Sequence, residues 1–282
     1  MTQDTTTTHA EPFVKWAGGK RLLLPQILPM LPELEAEHRY FEPFLGGGAV
    51  YFALGPTRAL LSDLNGELIE TFEAVRDEVD EVIRRMQRLK NDEDCYYAVR
   101  SSRPRTRPTR AARFIYLNKT CFNGLFRVNL RGEFNVPFGR HGAHHVVCDE
   151  NQLRSSSRAL QNAEFAVADF GRAMSRARAR DLVYLDPPYT LAHVNNGFIE
   201  YNARVFSWED QRRLAAVARR LVNRGVRVAV SNGDHPSITS LYDAPEFTIT
   251  RVDRWSTVAG GPRFRFPTSE LMIVGDAYGG RT

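Results

Sequence analysis

Cysteine is scarce in this chain: Cys95, Cys121 and Cys148 are the three in 282 residues, and no two form a C-x-x-C pair. So odd and scattered a set excludes a disulfide framework, and it fits a reducing compartment. Long apolar runs are missing too. No stretch approaches the roughly twenty residues of a membrane helix, and the Thr-rich start from Met1 to Ala10 has neither a basic n-region nor an apolar h-region. The expectation is a disordered tail over residues 1–10, no membrane association and a cytoplasmic protein. Repeats are absent as well, which excludes a solenoid.

Neither sign of charge dominates. Against 33 Asp+Glu stand 38 Lys+Arg, a net +5, and 43% hydrophobic with 25% charged residues suits a packed core. The balance conceals segregation. Arg100, Arg103, Arg105, Arg107, Arg110 and Arg113 crowd one proline-broken stretch, while acids cluster from Glu67 to Asp94. Such a stretch suits phosphate contact and equally a solvated linker. His141, His144, His145 and Cys148 also lie close together, but Gly142 marks a loop and no regular ligand frame follows, so no metal is expected.

What is present is an α/β rhythm. Arg39 to Pro43 reads as a strand running into the glycine turn Phe44-Leu-Gly-Gly-Gly-Ala-Val50, with a helical stretch through Tyr51 to Leu54. The strand Ala59 to Ser62 then ends in Asp63, about twenty residues past the glycines, where a nucleotide-binding α/β unit places an acid on ribose hydroxyls. Leu68, Phe72, Val75, Val79, Val82, Met86 and Leu89 step at helical spacing and predict one helix. Gly124, Gly132, Pro137 and Gly139 punctuate the segment Asn118 to Arg140 as loops or a hairpin.

Strands resume at Glu164 to Ala168, ending in Asp169, and at Asp181 to Leu185. Ser207 with Asp210 three residues on predicts a capped helix, its apolar stripe Leu214, Val217, Leu221 and Val222, its stop Gly225. Val226 to Val230, Phe247 to Val252 and Leu271 to Val274 predict further strands, the last two an antiparallel pair. The fold class is therefore α/β, a doubly wound sheet built from both ends of the chain and interrupted by an inserted lobe. Glu42, Asp63, Asp169 and Asp186 would gather at its carboxyl edge, where ligands bind in such sheets.

The most informative residues follow the strand at 181–185: Asp186, Pro187, Pro188 and Tyr189. An exocyclic amine conjugated to a purine is a poor nucleophile until its two hydrogens are held out of the ring plane. The Asp186 carboxylate can accept one and the Pro187 carbonyl, aimed by a rigid Pro-Pro step, the other. Tyr189 adds a π-face, and all three stabilise positive charge developing on nitrogen during methyl transfer. Taken alone, the same four residues also describe a proline-stiffened turn after a strand.

The order of motifs lifts that ambiguity. Lys15-Trp-Ala-Gly-Gly-Lys20, Glu42-Pro-Phe-Leu-Gly-Gly-Gly48, Leu61-Ser-Asp-Leu-Asn65, Arg131-Gly-Glu-Phe-Asn-Val-Pro-Phe-Gly-Arg140 and then DPPY resemble, in that order, the Dam-like DNA adenine-N6 methyltransferases, the D12 class, group alpha. The resemblance runs from Phe13 to Val274. It implies a Rossmann-like methyltransferase sheet, a discontinuous S-adenosylmethionine-binding catalytic domain over 11–65 and 160–276, and a mostly helical plus hairpin DNA-recognition domain over 66–159.

Carried onto these positions, the resemblance implies Asp186, Pro187, Pro188 and Tyr189 as catalytic. It implies cofactor contact from Trp16, Lys20, Phe44, Gly46, Gly48, Asp63, Asp169, Phe170 and Asp186. Lys15, Phe122, Asn123, Leu125, Arg127, Asn129, Pro137 and Arg140 are the implied DNA contacts, Phe122 standing where the family often has Tyr. Arg127 suits bidentate readout of guanine. The implied reaction is methylation of adenine in double-stranded GATC by base flipping; the expectation is a nucleoid-associated monomer, and the sequence leaves open whether a partner restriction endonuclease accompanies it. The alternatives are an amino methyltransferase for another DNA sequence or for RNA, and a non-catalytic DNA-binding homologue. A nicotinamide enzyme is disfavoured by the absence of G-x-G-x-x-G, and carbon methylation of cytosine by the absence of a Pro-Cys nucleophile.

Overall fold

The apolar run before DPPY becomes the middle of a seven-stranded sheet. In a computed structural model, the structure describes residues 10–129, 131–139, 142, 145–190, 206–255 and 267–277. The strands are β1 (Tyr40–Glu42), β2 (Ala59–Asp63), β3 (Ala163–Val167), β4 (Leu182–Leu185), β5 (Arg227–Gly233), β6 (Thr248–Trp255) and β7 (Pro267–Gly275), in the order β3-β2-β1-β4-β5-β7-β6. β1 pairs parallel with β2 and with β4, and β4 pairs parallel with β5. β7 runs antiparallel to both β5 and β6. All four residues of β4 are buried, as an interior parallel strand covered on both faces requires.

Strand order runs outward from β1 to β3 and then returns to β4 on the other side of β1. That reversal opens a crevice beyond the carboxyl ends of β1 and β4, where α/β sheets take their ligands. Glu42 ends β1 and Asp186 directly follows β4.

The chain divides into two compact units. One comprises the chain up to Arg21, Gly46–Gly55 and Asp63–Val167; the other comprises Leu22–Leu45, Pro56–Ser62 and the chain from Ala168 onward. Among the described residues the α-helices are α1 (Leu24–Ile27), α2 (Ala49–Leu54), α3 (Gly66–Asp77), α4 (Val79–Met86), α5 (Glu93–Ser101), α6 (Arg107–Thr120), α7 (Glu150–Leu160), α8 (Phe170–Met174), α9 (Trp208–Asn223) and α10 (Pro236–Leu241).

In the second unit α9 is built as its sequence predicts. Ser207 Oγ accepts from the Asp210 backbone N–H at 3.1 Å and Asp210 Oδ2 accepts from the Ser207 N–H at 3.0 Å, a reciprocal capping box. Leu214, Val217, Leu221 and Val222 pack into one core with Val228 and Val230 of β5 and Leu271 and Ile273 of β7. Gly225, at φ +77°, ends the helix in the left-handed region.

The first unit departs from expectation twice. The single helix from Leu68 to Leu89 is two: Glu78 leaves helical geometry at φ −134°, ψ 32°, so α3 and α4 meet at a bend, and α4 stops at Met86. Leu68, Phe72, Val75, Val82 and Met86 of the predicted stripe are buried, Val79 and Leu89 are half-buried, and both helices pack against α6. The arginine-rich stretch is the second departure. From Arg107 it is the start of α6, with Pro108 in the first turn where a missing N–H costs nothing. Its guanidinium groups are largely spoken for. Arg110 forks onto Glu70, Arg107 onto Asp77 and Glu78, and Arg103 onto Glu133, while Arg113 donates to the carbonyls of Val99 and Arg100. For Arg107 and Arg110 the acidic cluster from Glu67 to Asp94 supplies the counterions that phosphates would otherwise supply.

Candidate active site and nucleic-acid interface

The residues expected to make the site are divided between the two units, and each group has its own support. In the second unit, DPPY leaves the carboxyl end of β4 with Pro187 buried and Asp186, Pro188 and Tyr189 half-buried. The Pro188 carbonyl accepts from Gln211 Nε2 of α9 at 3.3 Å. Among the described residues no donor is seen on the Pro187 carbonyl, the oxygen expected to face an amine. Tyr189 Oη donates to Glu270 Oε2 at 2.6 Å and lies 3.2 Å from Ser231 Oγ.

Around DPPY the crevice is rich in buried oxygen. Tyr40 Oη donates to Glu42 Oε2 at 2.8 Å. Burial first, and then the negative charge of Glu42, holds the Tyr40 phenol well above its ordinary range; burial and then Asp186 do the same to Tyr184 and Tyr189. Three protonated phenols thus face the carboxylates at the ends of β1 and β4. Phe44 stacks at a tilt on Phe170 at 5.5 Å and edge-on to Phe206 at 5.6 Å between ring centroids. Asp169 caps α8 through Gly171 N–H and takes a two-pronged ion pair from Arg213 at 2.9 and 2.6 Å, which holds its carboxyl below the usual range. Arg213 also lies 3.9 Å over the Phe170 ring.

In the first unit the glycine turn is fixed by Asp63 and Trp16. Asp63 Oδ2 accepts from Gly46 N–H at 3.1 Å and Oδ1 from Asn65 N–H at 2.9 Å, with the Leu64 N–H a third backbone donor to the carboxylate. Burial raises the Asp63 carboxyl, with those backbone N–H groups acting against the rise. Gly46 sits at φ +47° and a Cβ there would lie 2.7 Å from Trp16 Cδ1, so both conformation and contact require glycine. Gly48, at φ +70°, caps α2. Trp16 is half-buried and stacks on Phe126 at 5.5 Å and Phe114 at 6.4 Å. Lys20, 2% exposed, donates to the Gly18 carbonyl at 2.9 Å.

The segment after α6 folds as a hairpin with antiparallel bridges Cys121–Phe138 and Val128–Phe134. Phe122 N–H donates to the Pro137 carbonyl at 2.9 Å, so Pro137 closes the base of the turn that carries Phe122. Phe122 is 51% exposed and Leu125 is exposed beside it; Asn123 adopts φ +55° at the turn's apex. Arg127 donates through Nε to Asn135 Oδ1 at 2.8 Å, which spends little of its five-donor fork. Asn129 is different: its Oδ1 accepts from Arg131 and Glu133 N–H and its Nδ2 donates to Glu133, so the side chain is occupied in closing the turn. Arg140 lies outside the described residues, as do His141 and His144.

Residues 16–258 match the family model of the D12 class N6 adenine-specific DNA methyltransferases. The chain belongs to that class. It is 36% identical to the type II methyltransferase M1.LlaDCHI of Lactococcus lactis subsp. cremoris, over 94% of this chain and 95% of the relative. Identity is 37% to the type II methyltransferase M.MjaIII of Methanocaldococcus jannaschii, covering 79% of this chain and 84% of that one. It is 35% to the DNA adenine methylase of Escherichia coli strain K12, covering 93% and 94%.

In this D12 methyltransferase two residues that the motifs do not point to organise the neighbourhood of those that they do. Asn118, 1% exposed, accepts from Lys15 N–H at 2.7 Å and donates Nδ2 to the Lys15 carbonyl at 2.8 Å and to the Gly124 carbonyl at 3.3 Å. It clamps Lys15 onto the Phe122 turn. Gly124, at φ +64°, is the surface on which the Lys15 side chain rests. Glu270 is the second. Its signal in the sequence is an acid at the head of the apolar run Leu271 to Val274, which reads as a solvent-side strand residue until β5 and β7 are paired. Among the described residues Glu35, Glu37 and His38 alone bring three metal-capable side chains together, and Glu35 there is engaged by Arg227 and His38. No described helix is long and apolar enough to cross a membrane.

Proposed function

We propose that this methyltransferase transfers a methyl group from S-adenosylmethionine to the exocyclic amine of adenine in double-stranded DNA, at GATC, after flipping the base out of the duplex. The observation that carries this reading is DPPY at the carboxyl end of β4, beside the strand-order reversal, with a Pro187 carbonyl left for an amine and Tyr189 tied in place by its hydroxyl. When bound, S-adenosylmethionine supplies a methyl group on a sulfonium.

The residues suit that cofactor. Asp63 offers a carboxylate to ribose hydroxyls, the turn at Gly46 lets backbone approach the amino-acid end without a Cβ, and Lys20 is a cation for its carboxylate. Trp16, Phe44 and Phe170 supply aromatic surface; Asp169 directly precedes Phe170, its carboxylate shared with Arg213. Asp186 and the Pro187 carbonyl accept the two amine hydrogens, which turns the nitrogen lone pair out of the purine plane. Tyr189 stacks on the extruded adenine and offsets part of the few kcal/mol that extrusion costs. Positive charge on nitrogen is then met by a carboxylate, a carbonyl dipole and a π-face. The proton lost after transfer has Asp186 as its nearest acceptor in this arrangement.

On the DNA side, residues 66–159 form the recognition domain. Phe122 and Asn123 wedge into the stack, Leu125 and Pro137 meet base edges, Arg127 reads a guanine, and Lys15, clamped by Asn118, reaches the outer base pair. Asn129 acts through the turn it closes, and Arg140 is a further DNA contact. The enzyme works as a monomer on chromosomal DNA in the cytoplasm, with or without a companion endonuclease. Purified protein incubated with S-adenosylmethionine and DNA amplified in vitro, followed by mapping of N6-methyladenine, tests the whole reading. Methylated adenines confined to GATC support it; methyl groups on cytosine, on RNA alone, or nowhere reject it.

A further inference from the structure

The reaction as proposed uses Asp186, Pro187 and Tyr189, and the Tyr189 hydroxyl makes a 2.6 Å hydrogen bond to a residue outside DPPY. Glu270 stands on β7, is 3% exposed and pairs in register with Gly233 of β5, where no side chain competes for the space. Strand alternation puts Leu271 and Ile273 into the hydrophobic core with α9 and sends Glu270 to the opposite face. A buried carboxylate is expensive unless donors meet it. Here the Tyr189 hydroxyl meets it at 2.6 Å, and Ser231 Oγ lies 3.4 Å from the same oxygen and 3.2 Å from the phenol. Tyr189 gives its one hydroxyl hydrogen to Glu270.

We propose that Glu270, with Ser231, is a positioning residue for methyl transfer: its carboxylate fixes the plane of the Tyr189 ring against which the target base stacks. An aromatic ring left to pivot about χ1 and χ2 would present its face only part of the time. Anchoring the far end of the ring to a strand two places from β4 removes that freedom before substrate arrives. The phenol is suited to the donor role, because burial and then the charges of Asp186 and Glu270 keep it protonated far above neutral pH. A charge-assisted bond of this length is also stronger than a neutral one. This assignment rests on DPPY being the amine site.

A double-mutant cycle decides it. With DNA amplified in vitro as substrate and N6-methyladenine as the readout, Glu270→Ala and Tyr189→Phe each lower kcat about ten- to hundredfold, as loss of a charged hydrogen bond implies. The KM for S-adenosylmethionine stays within about threefold. The double variant is no slower than Glu270→Ala alone, and Glu270→Gln, which keeps a carbonyl acceptor, recovers most of the rate. Equal losses in Glu270→Gln and Glu270→Ala, additive losses in the double variant, or a kcat unchanged in Glu270→Ala would each overturn the assignment. Should Glu270→Ala fail to fold, judged by its unfolding transition, Tyr189→Phe combined with Glu270→Gln carries the same test of additivity. Adenine methylation by the unmutated enzyme with an unaffected Glu270→Ala removes only this inference; no adenine methylation at all removes the amine site and this inference together.

Discussion

Phe122 exposes half its surface on a turn closed by its own neighbours, whereas Tyr189 is tied by its hydroxyl to a residue 81 positions away. The hairpin after α6 is made of short-range bonds: Asn129 to Glu133, Phe122 to Pro137, Arg127 to Asn135. The buried Asn118 amide anchors its base, and Tyr96, Arg100 and Arg103 hold its return strand at Val136 and Glu133. The segment after β4 is made of long-range bonds, from Gln211, Glu270 and Ser231, on three different elements. Under the proposed function, a wedge into the base stack tolerates local mobility, whereas a pocket that holds an amine beside a methyl donor does not. Placement of side chains therefore depends on local turn chemistry in the first region and on sheet pairing in the second.

The contrast can be broken most severely at Asp186. Asp186→Ala removes the carboxylate on which the amine depends, so methyl transfer falls at least about a hundredfold, while duplex binding measured by fluorescence anisotropy is kept. Near-normal transfer would show that the acid is not at the reacting atom. Next comes the hairpin's anchor. Asn118→Ala leaves the Lys15 N–H and two carbonyls without their buried partner and costs about 3 kcal/mol in urea unfolding; a loss under about 1 kcal/mol would mean water replaces the amide easily.

Arg127→Ala sharpens the comparison instead. It costs about 1–3 kcal/mol of discrimination at one guanine and leaves unfolding unchanged, read from initial rates on a panel of single-mismatch duplexes. Flat selectivity across that panel refutes the readout role. The smallest effect belongs to Arg110. Its ion pair with Glu70 is partly exposed and screened, so Arg110→Ala costs under about 1 kcal/mol, and the salt dependence of DNA binding keeps its slope because the guanidinium is not on phosphate. Arg110 holds the Glu70 carboxyl below its ordinary 4.5. A depressed folded value means that the pair's stabilisation is present above about pH 4.5 and disappears as pH falls through the lower folded value; acid titration of the variant should lack that step.

Much of the site can be read without coordinates because its signals are local. DPPY after an apolar run, a glycine triplet after a short strand, an acid at the end of the next strand and the Ser207–Asp210 box each draw on bonds within a few residues. Their roles in binding and catalysis are still proposals. The bend at Glu78 escaped, because the apolar period continues across it and periodicity records burial, not backbone continuity. The arginines from 103 to 110 looked like phosphate contacts because composition shows a charge without its partner, and those partners, Glu70, Asp77, Glu78 and Glu133, lie about thirty to forty residues away along the chain.

The sequence by itself determined the family, the α/β strand and helix rhythm, and which side chains have the chemistry for an amine and a methyl donor. Tertiary structure alone decided which charges are already neutralised, that a buried Asn clamps Lys15 to the Phe122 turn, and that a strand-borne Glu270 holds the ring of Tyr189. The physical reason is range: propensity, capping and turn geometry act over one to four residues, whereas the pairing of a buried donor with its acceptor is settled only when the sheet and helices bring distant segments within 3 Å or so.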